Sequence, residues 1–360
     1  MPSVDVRSLL LFGAAALTLG CAGARPAAAP APAPTPAAAA GEHEHAAPAA
    51  PAAEAEHQER MVHNRHFLLS AESLVARHGR AGTVIVHVGR TDSAYLAGHV
   101  PGARFLPFSA VSRMVNGIPN EFPPADTMAA AFSRLVIRPD DRIVVYGDDV
   151  LAAARAWIAL DLLGHADRAA LLNGGLAAWR AAGGPVETGP VALPALHIPF
   201  AYTWQAQRLV TAEWVRARLH DSTIVLLDTR PADQFGGAET PCRPGQTPCV
   251  QIPEARRGHI PGARNLPWAD LMRSRDDPML KSMHQIHEGM LVPLGADRDG
   301  VATLVAYCRT GNQAGLGYFV LRWINYPDVR LYDGSFLEWA GLDPARFPVM
   351  RAAGGHEHQH

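Results

Sequence analysis

Cys308 opens the run Cys308-Arg309-Thr310-Gly311-Asn312-Gln313-Ala314, directly after an apolar stretch that ends at Tyr307. A stretch with helical spacing follows it. A cysteine at a strand end, on a short loop into a helix, faces converging backbone N–H groups and the positive end of the helix dipole. Both favour thiolate over thiol, so the spacing predicts a pKa below the ordinary ~8.5. Arg309 adds a permanent cation beside an incoming anion, and Gly311 and Asn312 tolerate the backbone of a tight curl. A buried, inert cysteine is the bland alternative, but Arg-Thr-Gly-Asn is too polar for filler. The chemistry these residues suit is nucleophilic attack by sulfur.

The elements that must hold this loop are legible as alternating patterns. Short buried strands are expected at 83–88, 142–146 and 170–172, and again at 223–227, 302–307 and 329–332. Helices are expected at 152–163 and 314–323. Strands alternating with helices imply a parallel sheet covered on both faces, with ligands outside the carboxyl ends of the strands. The unit occurs twice. Gly98-His99-Val100-Pro101-Gly102-Ala103-Arg104 returns as Gly258-His259-Ile260-Pro261-Gly262-Ala263-Arg264, 160 positions later. Leu171-Leu172-Asn173-Gly174-Gly175 with Trp179 returns as Leu331-Tyr332-Asp333-Gly334-Ser335 with Trp339, again 160 positions on. Leu69-Ser70-Ala71-Glu72 is matched by Val210-Thr211-Ala212-Glu213.

The duplicated His-Val/Ile-Pro-Gly-Ala segment, the Cys-Arg-x-Gly loop and the Tyr332–Trp339 segment together resemble the tandem rhodaneses, a family of two-domain sulfurtransferases. The resemblance covers about residues 62–348 and is most specific in the second copy. It implies an α/β fold of two rhodanese-like domains, each a small, mostly parallel sheet flanked by helices. The N-terminal domain, at 61–190, is then inactive, and the catalytic domain lies at 205–348. The resemblance further implies that Cys308 accepts sulfane sulfur as a persulfide. Arg309 and the loop from Thr310 through Gly311, Asn312 and Gln313 to Ala314 would hold the anionic donor. Asp228 and Arg230 match the family's Asp-x-Arg element and are expected to support the loop, with a surface ion pair as the alternative. In the first copy Gly147 replaces the cysteine and is followed by Asp148 and Asp149, so that copy has no nucleophile. Ala177 stands where many relatives carry a cation.

Thiosulfate-using relatives commonly place two cations after the cysteine, and mercaptopyruvate-using relatives place small neutral residues there. Arg309-Thr310 is intermediate. Thiosulfate is the favoured donor, with cyanide or a thiol as acceptor and no cofactor called for. The alternatives are 3-mercaptopyruvate as donor, or a non-catalytic, membrane-tethered persulfide carrier. Phosphatases that share this fold need an arginine six residues after the cysteine; Ala314 occupies that place, which excludes phosphoryl transfer.

Composition bounds the rest. The 360 residues carry 32 Lys and Arg against 34 Asp and Glu, which excludes a nucleic-acid partner held by bulk charge. Residues 1–20 read as a secretory signal, with an apolar run too short to span a bilayer. The run ends at Thr18-Leu19-Gly20-Cys21, which resembles a bacterial lipoprotein box and implies lipidation of Cys21. The expected location is the periplasmic side of a bacterial membrane, reached through that anchor. Residues 21–60 are an Ala/Pro-rich tether, and 349–360 form a His-rich tail. Histidine-rich tracts can capture metal, but flexible tails lack fixed geometry, and no metal site is assigned. The second copy is twenty residues longer between Arg230 and Gly258 than the first is between Arg90 and Gly98. That insertion holds Cys242 and Cys249 around Pro244-Gly245, and export predicts a disulfide between them. A resolving thiol is the competing reading. Residues 272–290 are expected to be a linker.

Overall fold

The computed structural model describes residues 64–239, 250–274, 276–297, 301 and 303–351. The first copy runs β1 (Leu68–Leu69), α1 (Ala71–Val75), β2 (Thr83–Gly89), α2 (Ser93–Ala97), β3 (Arg104–Pro107), β4 (Arg113–Val115), β5 (Ile118–Glu121), α3 (Ala125–Ser133), β6 (Arg142–Gly147), α4 (Val150–Leu162), β7 (Ala169–Leu172) and α5 (Gly175–Ala181). The second runs β8 (Leu209–Val210), α6 (Ala212–Arg216), β9 (Ile224–Asp228), α7 (Ala232–Gly236), β10 (Arg264–Asn265), α8 (Met283–Ile286), β11 (Thr303–Tyr307), α9 (Asn312–Trp323), β12 (Val329–Tyr332) and α10 (Ser335–Gly341). The two five-stranded sheets have orders β1-β7-β6-β2-β3 and β8-β12-β11-β9-β10, the same topology, and every pairing in them is parallel. Thus the α/β reading and the duplication both stand.

The central strands form because their β-branched runs are covered on both faces. Residues 84–89 of β2 and all of β11 are buried. Helices α1, α6 and α4 begin at polar caps: Ser70 accepts from the Ser73 N–H, Thr211 from Trp214 and Asp149 from Ala152. The Asp149 cap starts α4 two residues before the expected helix.

Helices α4 and α9 are apolar almost all round because each is sandwiched between its own sheet and the other copy. Trp157 meets Phe319 edge to face at 4.9 Å. Gly315 lets the helices approach: a Cβ there would stand 3.3 Å from Ile158 Cδ1. Asp161, 2% exposed, accepts from Tyr318 Oη at 2.6 Å and pairs with Arg322 across this junction. All described residues belong to one compact unit.

Two segments depart from the sequence expectation. The antiparallel pair β4–β5 turns through Asn116 and Gly117, both at positive φ (50° and 82°), the signature of a two-residue type I′ hairpin. The expected linker at 272–290 instead contains α8, capped reciprocally by Ser282 and Gln285, and then a π-helical turn at His287–Leu291. Ile286, His287 and Leu291 are buried, so this stretch packs into the core and does not hang between elements.

Candidate active site

Strand β11 delivers Cys308 to the carboxyl edge of the second sheet, and the chain turns into α9 through Gly311 at φ +81°. Glycine is required there. A Cβ would lie 2.7 Å from both the carbonyl oxygen and Oδ1 of Asp333, in a backbone region that L side chains avoid. The loop is strapped to the start of α10. The Cys308 N–H donates to Ser335 Oγ at 3.2 Å. The carbonyls of Cys308 and Arg309 accept from Phe336 and Leu337, each at 2.9 Å. Ser335 itself sits at φ +58°, and its hydroxyl donates to Tyr332 O at 2.8 Å. A strained serine held by two hydrogen bonds of this kind fixes the sulfur's position.

The sulfur is enclosed, with Cys308 1% exposed. Burial pushes its thiol up, and the N–H groups of Ala314, Thr310 and Gln313 pull it down. The nearby Asp228 charge adds to the rise. The net direction is upward, opposite to the expectation from the loop and helix dipole alone. The inward amides are present, but loss of water around a buried anion outweighs them.

Asp228 and Arg230 form a buried pair, not a surface one. Nε and Nη2 of Arg230 grip the two carboxylate oxygens at 2.9 and 2.5 Å. Nη2 also donates to Gly258 O at 2.6 Å, and the guanidinium stacks 4.0 Å over the Phe336 ring. The pair therefore ties β9 to the repeat segment at Gly258 and to α10, beside Cys308.

Arg309 does not point freely at the loop's mouth. Its Nη2 donates to Glu239 Oε1 at 3.0 Å and to Val250 O at 2.6 Å. Glu239 takes Arg257 through its other oxygen at 3.2 Å. Thr310 is half-buried, and its Oγ1 accepts from Asn120 Nδ2 of the first copy at 2.9 Å. Asn312 and Gln313 are half-buried at the start of α9, and Ala314 is buried behind them. Cys308 is a free thiol. Cys21, Cys242, Cys249 and the histidines of both tails lie outside the described residues. Among the described residues no group of three or more His, Cys, Asp or Glu is placed to hold a metal, and no helix is long and apolar enough to cross a membrane.

The first copy contributes groups that the sequence reading missed. Arg155, fully buried on α4, donates to Asp333 Oδ1 at 2.7 Å and Oδ2 at 3.2 Å, and reaches Gly311 O at 3.5 Å. It also bonds the carbonyls of Val111 and Asn120 and lies 3.3 Å over the Phe122 ring. The Phe122 N–H donates to Asp333 Oδ2 at 2.7 Å. The signal available was a lone arginine inside Val-Leu-Ala-Ala-Ala-Arg-Ala-Trp, a charge no apolar helix keeps without a partner. The signal for the hairpin was Asn116-Gly117. At the vestigial site, Asp148 pairs with His87 at 2.8 Å and Asp149 caps α4. A Cβ on Gly147 would stand 2.7 Å from Val88 O, so that loop has no room for a cysteine as it stands.

Two segments, residues 70–182 and 211–342, match the model of the rhodanese-like domain. The 3-mercaptopyruvate sulfurtransferase of Escherichia coli strain K12 is 32% identical over 246 residues, 68% of this chain and 81% of that protein. The thiosulfate sulfurtransferase of Corynebacterium glutamicum is 30% identical over 286 residues, 78% of this chain and 89% of its own length. Among solved structures, a 3-mercaptopyruvate sulfotransferase from Escherichia coli superposes with a TM-score of 0.61 at 28% identity, covering 75% of this chain and 98% of that one.

Proposed function

Since this chain belongs to the rhodanese-like domain family, with relatives named as sulfurtransferases, we propose that it moves sulfane sulfur from thiosulfate through a persulfide on Cys308. The observation that carries the reading is the enclosed sulfur of Cys308 faced by the N–H groups of Thr310, Gln313 and Ala314.

In the first step the Cys308 thiolate attacks the outer sulfur of thiosulfate. A cysteine–sulfur bond forms, the S–S bond of thiosulfate breaks, and its electron pair leaves with sulfite. In the second step cyanide, or a thiolate, attacks the outer persulfide sulfur and the thiolate returns. The inward amides are fixed dipoles, in place before reaction, and they serve thiolate and persulfide alike. They matter most once the donor's anion has entered a site from which water is excluded. Thiosulfate is favoured over 3-mercaptopyruvate by Arg309, although its pairing with Glu239 leaves that charge partly neutralised. The reading extends to place: the Thr18-Leu19-Gly20-Cys21 box supports a lipid anchor and the periplasmic side of a membrane.

The test is steady-state thiocyanate formation by the purified protein and by Cys308→Ala, with thiosulfate and 3-mercaptopyruvate assayed in parallel. Ping-pong kinetics with thiosulfate, abolished by the substitution, are expected. Turnover with mercaptopyruvate alone would reassign the donor. No turnover with either, and no added sulfur on Cys308 by mass spectrometry, would overturn the sulfurtransferase reading.

A further inference from the structure

The first copy has no nucleophile, yet one of its side chains reaches into the catalytic loop. Asn120 is the penultimate residue of strand β5, and its backbone is left-handed at φ +69°. That conformation is uncommon outside glycine, but asparagine tolerates it best. Three contacts hold it: its carbonyl accepts from Arg155 Nη2, its Oδ1 accepts from Ser112 Oγ at 3.4 Å, and its Nδ2 donates to Thr310 Oγ1 at 2.9 Å. The left-handed turn lets one residue present its carbonyl to Arg155 and its amide to the loop at once.

The bond to Thr310 has a consequence for proton placement. A threonine hydroxyl accepts through its lone pairs and donates one proton. With Asn120 occupying the acceptor side, the Thr310 proton is left to donate, and among the described residues no acceptor takes it. The N–H of the same Thr310 faces the Cys308 sulfur. An anionic oxygen on a donor whose sulfur rests against Cys308 is the acceptor this arrangement suits.

We propose that Asn120 is a positioning residue for donor recognition. It orients the Thr310 hydroxyl so that its proton serves a sulfonate or carboxylate oxygen of the sulfur donor. The proposal rests on the sulfurtransferase reading for its substrate class, but its geometry does not depend on which donor is physiological. With Arg309 drawn toward Glu239, this hydroxyl becomes a principal polar contact left to discriminate the donor.

Two variants separate side chain from backbone. Asn120→Gly keeps the left-handed backbone and deletes the amide. Asn120→Asp keeps the shape but accepts where the amide donates, so it draws the Thr310 proton to itself and adds a negative charge. For Asn120→Gly the expected result is a rise in KM for thiosulfate of about tenfold with kcat little changed, the weight of one hydrogen bond to a charged group. Asn120→Asp should be worse than Asn120→Gly. Thr310→Val should match Asn120→Gly, and the double variant should be no worse than either single one.

Protection of Cys308 from iodoacetamide by sulfite gives a readout that needs no turnover. The half-protecting concentration should rise by a similar factor in Asn120→Gly and further in Asn120→Asp. Kinetics and protection within twofold of the parent in Asn120→Gly would overturn the proposal. So would an Asn120→Asp variant that binds sulfite as well as the parent, or losses that multiply in the double variant. A parent protein that turns over neither donor would instead remove the sulfurtransferase reading, and sulfite protection would still decide the role of Asn120.

Discussion

Arg309 illustrates how a residue's neighbours decide what its charge is worth. Read along the chain, it is a cation adjacent to the nucleophile. In the fold, its guanidinium is shared between Glu239 and the Val250 carbonyl, and Glu239 is itself only 13% exposed and bridged to Arg257. An anionic donor must therefore compete with a carboxylate for Arg309. Removing that competitor should strengthen donor binding. In Glu239→Gln, KM for thiosulfate is expected to fall about two- to fivefold with kcat nearly unchanged, the scale of a partly exposed ion pair. Initial-rate kinetics over a range of thiosulfate concentrations would show it. A KM that rises would mean that Arg309 serves as a clip for the ends of the insertion and not as a donor-binding cation.

At the scale of an element, the β4–β5 hairpin acts as a roof from the first copy over the loop of the second. Its terminal Glu121 is half-buried, and its carboxyl is pushed up to about 7 by burial, reinforced by Asp333 and Glu338 and opposed by Arg155 and Arg113. The folded-state value lies above the unfolded value of 4.5, so the protonated form is favoured on folding. Stability associated with this group is full below pH 4.5 and is lost as pH rises toward 7. Glu121→Gln should therefore leave stability unchanged at pH 4 and raise it at pH 8. The gain should be about 1 kcal/mol, well below the full linkage value, since much of the side chain faces water. Urea midpoints at the two pH values, for parent and variant, would test the sign. Equal stability at pH 8 would mean that the carboxyl ionises without cost and that the hairpin is looser than its contacts with Asp333 and Thr310 imply.

At the scale of the whole molecule, the first copy contributes side chains to the candidate site of the second. Arg155 neutralises Asp333, and Asp333 in turn abuts the Gly311 turn and accepts the Phe122 N–H. The α4–α9 junction buries Trp157, Phe319 and the Asp161 cluster. A fragment of residues 205–348 would leave Asp333 without its guanidinium and expose one face of α9. Stranding a buried charge costs about 3–5 kcal/mol, comparable to the stability of many domains. The fragment is expected to be unfolded or aggregated, with thiocyanate production below a hundredth of the parent's. Circular dichroism with the transfer assay would check both. A folded, active fragment would show that the first copy is dispensable for catalysis.

Much of this was legible in one dimension because it is local. The strand–loop–helix pattern around Cys308, the duplication, the parallel α/β sheets and the missing nucleophile at Gly147 depend on residue types and short spacings, which a linear reading preserves. The Asn116-Gly117 turn and the solitary Arg155 were equally local signals, and they announced a hairpin and a buried partner that the reading passed over. What the tertiary structure alone decided is everything set by burial and by contacts between distant segments. Arg155 meets Asp333 across 178 residues, and Asn120 meets Thr310 across 190. Glu239 diverts Arg309, and enclosure turns the expected fall in the Cys308 thiol pKa into a rise. A charge's partner and its access to water are properties of the packed molecule, and the spacing of residues along the chain does not encode them.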